Sequence, residues 1–210
     1  DVCSSDLIST DRHVQPGGGE DFEALLREKD IPLYGLESGT PLNRFDLVAF
    51  TLSYELCATN VLTVLETGGI PLRNHRRGPE DPIVIAGGPA ATNPLPYGAF
   101  IDAVFIGEAE GELPALILRL AEEKKKGRSR EFLLECIKKN THFWYSGIRE
   151  PARRAVWDSF SGSVSPGVFF PVPSVRTVQD HGVVEIMRGC PHGCRFCHAG
   201  ILYRPYRVKE

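Results

Sequence analysis

Long apolar runs are missing from this chain. No stretch approaches the roughly 18–20 consecutive apolar residues that a membrane-spanning helix requires, and the opening residues lack the basic-then-apolar layout of a secretory leader. A helical membrane span is thereby excluded and export argued against, so the chain is expected in the cytoplasm with no membrane partner. An excess of positive charge is missing too. Lys and Arg number 24 against 27 Asp and Glu, a net charge of −3, which supplies no general attraction toward nucleic acid. The local basic runs at Lys124 to Lys126 and Arg73 to Arg77 read as solvated faces. Internal repeats and low-complexity tracts are absent as well. What remains is an ordinary globular balance, 42% hydrophobic and 24% charged, with apolar material for one or two buried cores.

The first seven residues, DVCSSDL, read like the translation of a sequencing adapter and are set aside from the fold, Cys3 with them. From Ile31 to about Lys126 short apolar runs alternate with helical stretches, the pattern of βαβ units around a parallel sheet. IPLYGL (31–36) reads as a weak strand, FDLVAFTLS (45–53) as a strong one, and PIVIAGGP (82–89) and DAVFIGE (102–108) as buried strands ending in glycine. Helical spacing joins Ala58, Val61, Leu62 and Leu65, then Leu113, Leu116, Ile117 and Leu120, then Phe132, Leu133, Cys136 and Ile137. Cys136 is therefore expected in the core. Periodicity fails after Thr141, and prolines and glycines gather in SPGVFFPVPS (165–174). The expected organisation is a Rossmann-type domain over 8–140, a linker or crossing segment over 141–181, and a new strand opening a further domain over 182–210.

That strand, GVVEIMRG (182–189), leads into RGCPHGCRFCHAG (188–200), where three of the six cysteines crowd together. Cytoplasmic thiols stay reduced, so such a cluster points to metal or redox chemistry rather than disulfides. Cys190, Cys194 and Cys197 could share one helix face, but Gly189, Pro191 and Gly193 argue against a continuous helix. A loop bringing three thiolates together is a metal or cluster site. Zinc would take the three sulfurs plus His192 or His198. CRFCH matches the covalent haem pattern, which belongs to exported proteins, and a thioredoxin-like C-x-x-C leaves Cys190 unexplained. An iron–sulfur cluster held by three cysteines leaves one iron open. Around the loop, Glu185, mid-strand, reads as a buried salt-bridging residue, Arg188 as lining the site or as a strand-end cation, and Tyr203, Arg204, Tyr206 and Arg207 as a helix surface.

C-x3-C-x2-C with Phe196 immediately before the third cysteine, on a loop after an apolar strand, is similar to the signature of the radical S-adenosylmethionine (SAM) superfamily. The resemblance implies that Cys190, Cys194 and Cys197 bind a 4Fe–4S cluster whose open iron chelates SAM, and that Phe196 flanks the SAM adenine. It also implies one-electron cleavage of SAM by an external reductant such as ferredoxin or flavodoxin. A 5'-deoxyadenosyl radical would then abstract hydrogen from a substrate, with RNA and small metabolites both open as targets. The fold implied is a (β/α) barrel, whose strand-to-helix loops carry the active site. With so little chain beyond Cys197, the barrel is read as truncated, the piece as inactive alone, and its cysteine loop as weakly packed.

Through DLVAFTLS, IVIAGGPAAT and DAVFIGEAEGELP, the 31–126 region resembles the cobalamin-binding-type Rossmann domain that precedes many radical SAM barrels. Ligands of such sheets dock at the carboxyl ends of the strands, which makes Ser53, Gly87, Gly88, Pro89 and Gly107 to Glu110 the candidate cobalamin-type pocket. The axial-ligand signature D-x-H-x-x-G is approached by DRHVQPG, where Asp11 and His13 are in place but Pro16 replaces the glycine. Glycine turns that merely close a sheet are the competing reading, as is, for the whole chain, a non-catalytic Rossmann-like interaction domain followed by a structural zinc loop. The expected fold class is thus α/β, a Rossmann-like parallel-sheet domain followed by the first strand and cluster loop of a radical SAM barrel.

Overall fold

Three apolar runs lie side by side in the computed structural model, which describes residues 22–35, 38–163 and 184–210. They are β1 (Leu47–Thr51), β2 (Ile83–Gly87) and β3 (Ala103–Phe105). β1 pairs parallel with β2 from Leu47 opposite Ile83 to Thr51 opposite Gly87, and β2 pairs parallel with β3 through Ile85 and Ala103. A fourth strand, β4 (Phe143–Trp144), joins β3 antiparallel, giving the order β1-β2-β3-β4. The helices are α1 (Phe22–Glu28), α2 (Ala58–Thr67), α3 (Leu113–Lys125) and α4 (Arg130–Lys138). Pro114 sits in the first turn of α3, where its missing N–H costs nothing. The Ser129 hydroxyl caps α4 by accepting from the Phe132 N–H at 3.3 Å.

Strand alternation sends side chains to two cores. Val48, Phe50, Val84, Ala86 and Val104 pack with Val61 and Leu65 of α2 on one face. Ile83, Ile85, Ala103 and Phe105 pack with Leu120 of α3 and Leu133 and Ile137 of α4 on the other. β2 is buried on both faces from Ile83 to Ala86, as an interior parallel strand must be. The result is an α/β, Rossmann-like layering of helices over both sides of a mostly parallel sheet.

Departures from the expected pattern are local. Among the described residues of the 31–36 run, 31–35, the strand contracts to one bridge, Tyr34 with Pro41. Phe132 is 40% exposed rather than buried, because the apolar stripe of α4 centres on Leu133 and Ile137; the Arg128 guanidinium covers its ring at 4.9 Å. Cys136 is partly buried against the core. The sheet continues past residue 140, since β4 belongs to it, and an isolated parallel bridge joins Gly107 to Ala155 beyond it.

At the opposite edge, where the strands begin, one buried carboxylate ties the domain together. Asp102 Oδ2 accepts from Arg77 Nη1 at 2.9 Å, from Arg130 Nη2 at 2.9 Å and from the Val84 N–H at 2.7 Å. Arg77 also donates to the carbonyls of Pro71 and Leu72, and Arg130 to those of Asp81 and Pro82. Burial lowers the basicity of Arg77, and the charge of Asp102 opposes that shift.

The chain divides into two compact units, the first ending at Val156 and the second running Trp157–Glu210. In the second, β5 (Met187–Arg188) pairs antiparallel with β6 (Arg207–Val208), and a short helix α5 (Ala199–Leu202) lies between them. The strand expected over 182–189 is thus short and antiparallel. A short connection can return a chain antiparallel, whereas a parallel partner needs a long crossover. Among the described residues no helix is long and apolar enough to cross a membrane.

Candidate functional site

The cysteine loop leaves β5 at Arg188. Cys190, Cys194 and Cys197 are all free thiols, Cys194 exposed and the other two partly so. The Cys197 N–H donates to the Cys194 carbonyl at 3.2 Å, a turn that folds the C-x-x-C pair back on itself. Phe196 projects almost entirely into solvent, 93% exposed, and His192 and His198 are exposed. Among the described residues no three His, Cys, Asp or Glu side chains converge into a set able to hold a metal ion.

The donor set fits an iron–sulfur cluster. Its three sulfurs are soft ligands, outside any disulfide and at least partly exposed. From Ile186 to Lys209 the chain contains Arg188, Arg195, Arg204, Arg207 and Lys209 and no Asp or Glu, a local positive charge that suits an anionic cluster.

Beneath the loop is a platform that sequence reasoning missed. Phe160, fully buried, lies under Arg188 at 4.6 Å, Arg207 at 5.4 Å and Lys209 at 5.4 Å, with Trp157 edge-on to it. Glu185 holds Arg188 from Oε1 to Nε at 2.8 Å and from Oε2 to Nη2 at 3.0 Å. The salt bridge of Glu185, expected buried, is instead a half-exposed pair with Arg188 three residues on, because Glu185 precedes and Arg188 ends the short, surface-lying β5. Arg207 Nη1 donates to the Trp157 carbonyl at 2.9 Å. Tyr203, Arg204 and Tyr206 follow α5 as a turn into β6, and Arg207 lies within β6, rather than on a helix surface. Trp157 and Phe160 gave no signal because they stand where periodicity fails.

In the first unit, Ser53, Gly87 and Gly88 do stand at the carboxyl edge of the sheet, Gly87 ending β2. Gly88 (φ +98°) lies so close to Leu52 that an added Cβ would sit 2.7 Å from its carbonyl oxygen, and the Leu52 N–H donates to the Gly87 carbonyl at 2.8 Å. At Gly107 (φ +119°) a Cβ would strike the backbone of Ala155. Close packing of the protein's own backbone accounts for glycine at both positions. His13 lies outside the described residues. Glu108 accepts from Arg154 Nη2 at 3.0 Å, and Glu112 binds His142 Nε2 at 3.2 Å, tying the acidic run to the segment that covers it.

Residues 4–145, more than half of the chain, match the model of a family described as radical SAM proteins, N-terminal. The chain is also similar to an uncharacterized protein of Methanocaldococcus jannaschii, 26% identical over 186 residues, which cover 88% of this chain and 37% of that protein. It spans little more than a third of the length of this relative. No solved structure matches it.

Proposed function

The chain belongs to the N-terminal family of radical SAM proteins, and from that premise we propose that Cys190, Cys194 and Cys197 ligate a 4Fe–4S cluster in the cytoplasm. In this reading the first unit is the domain that precedes a radical SAM barrel, and β5 with its loop opens the barrel. When bound, the cluster and SAM supply a 5'-deoxyadenosyl radical able to remove hydrogen from a substrate. The chain's own residues contribute three thiolates, an exposed Phe196 ring for the adenine, and Arg188, locked to Glu185 and Phe160, as the anchor from which the loop departs. An external one-electron donor, a ferredoxin or flavodoxin, completes the system.

The observation that carries this reading is the loop itself: three free thiols in eight residues, one pair already turned together, in a stretch rich in cations and devoid of acids. Anaerobic reconstitution with iron and sulfide tests it. The expected product is brown, with the broad visible absorption of sulfur-to-iron charge transfer, and Cys194→Ala abolishes the colour. After reduction, SAM should change the electron paramagnetic resonance spectrum by binding the open iron. A colourless protein carrying one zinc per chain would overturn the proposal and favour a structural loop.

A further inference from the structure

Beyond the last turn of α4 the first unit opens a broad recess of about 840 Å3 between residues 138–141 and the loop 145–153. Phe143 pairs with Phe105 at the end of β3, and the Ile106 N–H donates to the His142 carbonyl at 2.9 Å. The recess therefore flanks the carboxyl edge of the parallel strands, the edge at which α/β sheets receive ligands. Its walls are held in place. The Arg153 N–H donates to the Thr141 carbonyl at 2.8 Å, His142 Nδ1 meets the Arg153 carbonyl at 2.7 Å, and the Ile148 N–H closes a turn on Tyr145 at 3.1 Å.

Its charge is one-sided. Lys138, Lys139, Arg149 and Arg153 line it against a single acid, Glu150. Lys138 is engaged, 3.0 Å from Glu135 and over the Tyr145 ring at 5.5 Å. Lys139, Arg149 and Arg153 form no ion pair among the described residues. Among the unit's other cations, Arg27 is paired with Glu23 and Glu66, Lys124 with Asp46, Lys126 and Arg128 with Glu123, and Arg154 with Glu108, whereas Arg44, Arg73, Arg76, Arg119 and Lys125 also form no ion pair among the described residues; the recess differs in gathering three such cations around one concavity. In a chain of net charge −3, three uncompensated cations around one concavity create a local positive field that repels itself unless an anion is present.

We propose that this recess binds an anion carrying more than one phosphate through Lys139, Arg149 and Arg153. Its volume falls in the range of roughly 300–1,000 Å3 typical of ligand sites and far exceeds one phosphate ion, and three separate cations match several phosphates. A nucleoside diphosphate and a run of phosphodiesters both present that chemistry. The site is independent of the cysteine loop and goes beyond the cluster proposal.

The test uses the full 210-residue chain without reconstitution, so its outcome does not depend on iron. A labelled short single-stranded RNA is followed by fluorescence anisotropy, and ADP by calorimetry. If phosphodiesters are the ligand, the RNA binds with a slope of log K against log salt of about −2, roughly 0.7 per phosphate contact over three contacts. If a nucleotide is the ligand, ADP binds and the RNA does not. In either case Lys139→Glu/Arg149→Glu/Arg153→Glu should weaken binding by about 10-fold or more, and the exposed Lys125→Glu, outside the recess, should leave it unchanged. Should the triple variant fail to fold by circular dichroism, Arg149→Gln/Arg153→Gln decides the matter with a loss of several-fold. Failure of both probes to bind overturns the proposal, as does undiminished binding by the folded charge variants or an equal loss in Lys125→Glu.

Discussion

Asp102→Asn isolates the value of a charge shared by two buried guanidiniums. In the native protein the side chains of Arg77, Arg130 and Asp102 are 0%, 7% and 4% exposed. Asparagine is the same size and retains an oxygen for the Val84 N–H. It removes the carboxylate that both arginines contact, leaving two cations in a low-dielectric site. Breaking a buried pair costs about 3–5 kcal/mol, much of it the penalty for the partner left behind. With a urea dependence of about 2 kcal/mol per molar, the midpoint should fall by about 2 M at unchanged slope. That is a large part of the roughly 5–15 kcal/mol that holds a domain together. Urea unfolding followed by far-ultraviolet circular dichroism measures it. Replacing all three groups together, as Arg77→Met/Asp102→Leu/Arg130→Met, should cost less than Asp102→Asn alone, because no charge is left stranded. A midpoint for Asp102→Asn within about 0.5 M of the wild type would refute the reasoning, since the cost of the stranded charges would then be absent.

Three further outcomes follow from the same geometry. Gly107→Ala places a methyl group against the Ala155 backbone at a φ of +119° and should destabilise the first unit by about 2 kcal/mol or more, read as a lower Tm. Arg188→Lys keeps the charge but forfeits the two-point contact with Glu185; a loss of about 1–2 kcal/mol should appear as faster proteolysis within 188–198. Glu123 has its carboxyl held below the ordinary 4.5, chiefly by the hydrogen bond from Lys126. Its folded pKa is depressed, so its contribution is present above 4.5 and disappears as pH falls through the folded value. Glu123→Gln should therefore flatten the acid limb of a Tm–pH profile below 4.5 and lower Tm slightly at pH 7.

Where apolar spacing is regular the fold is written locally. The cores of β1, β2 and β3 fall inside the runs read as strands, and Val61, Leu65, Leu120, Leu133 and Ile137 face inward as their spacing requires. β4 escapes notice because two residues carry no period, and only the exposed edge of β3 makes Phe143 and Trp144 a strand. The Asp102 tie is equally silent: its arginines stand 25 and 28 residues away, and an Asp heading an apolar run is ordinary turn chemistry. At the cysteine loop the ligand spacing is legible without any structure, whereas the Phe160 platform depends on contacts between β5, β6 and a non-periodic segment. Glycine at 88 and 107 signals tight backbone in the sequence. That Leu52 and Ala155 are the backbone pressed against these positions is decided by tertiary contact.

The pairing of Gly107 with Ala155 fixes where this polypeptide can be cut. A boundary drawn at residue 145, where the family match ends, would strip away Ala155, whose N–H donates to the Ile106 carbonyl at 2.8 Å and whose carbonyl accepts from Glu108 at 3.0 Å. It would also leave Glu108 without Arg154 and uncover the rim of the sheet. The smallest piece that keeps its own hydrogen bonds closed runs on to Val156, so an expression boundary set by similarity alone would yield a sticky, frayed domain, and eleven more residues would cure it.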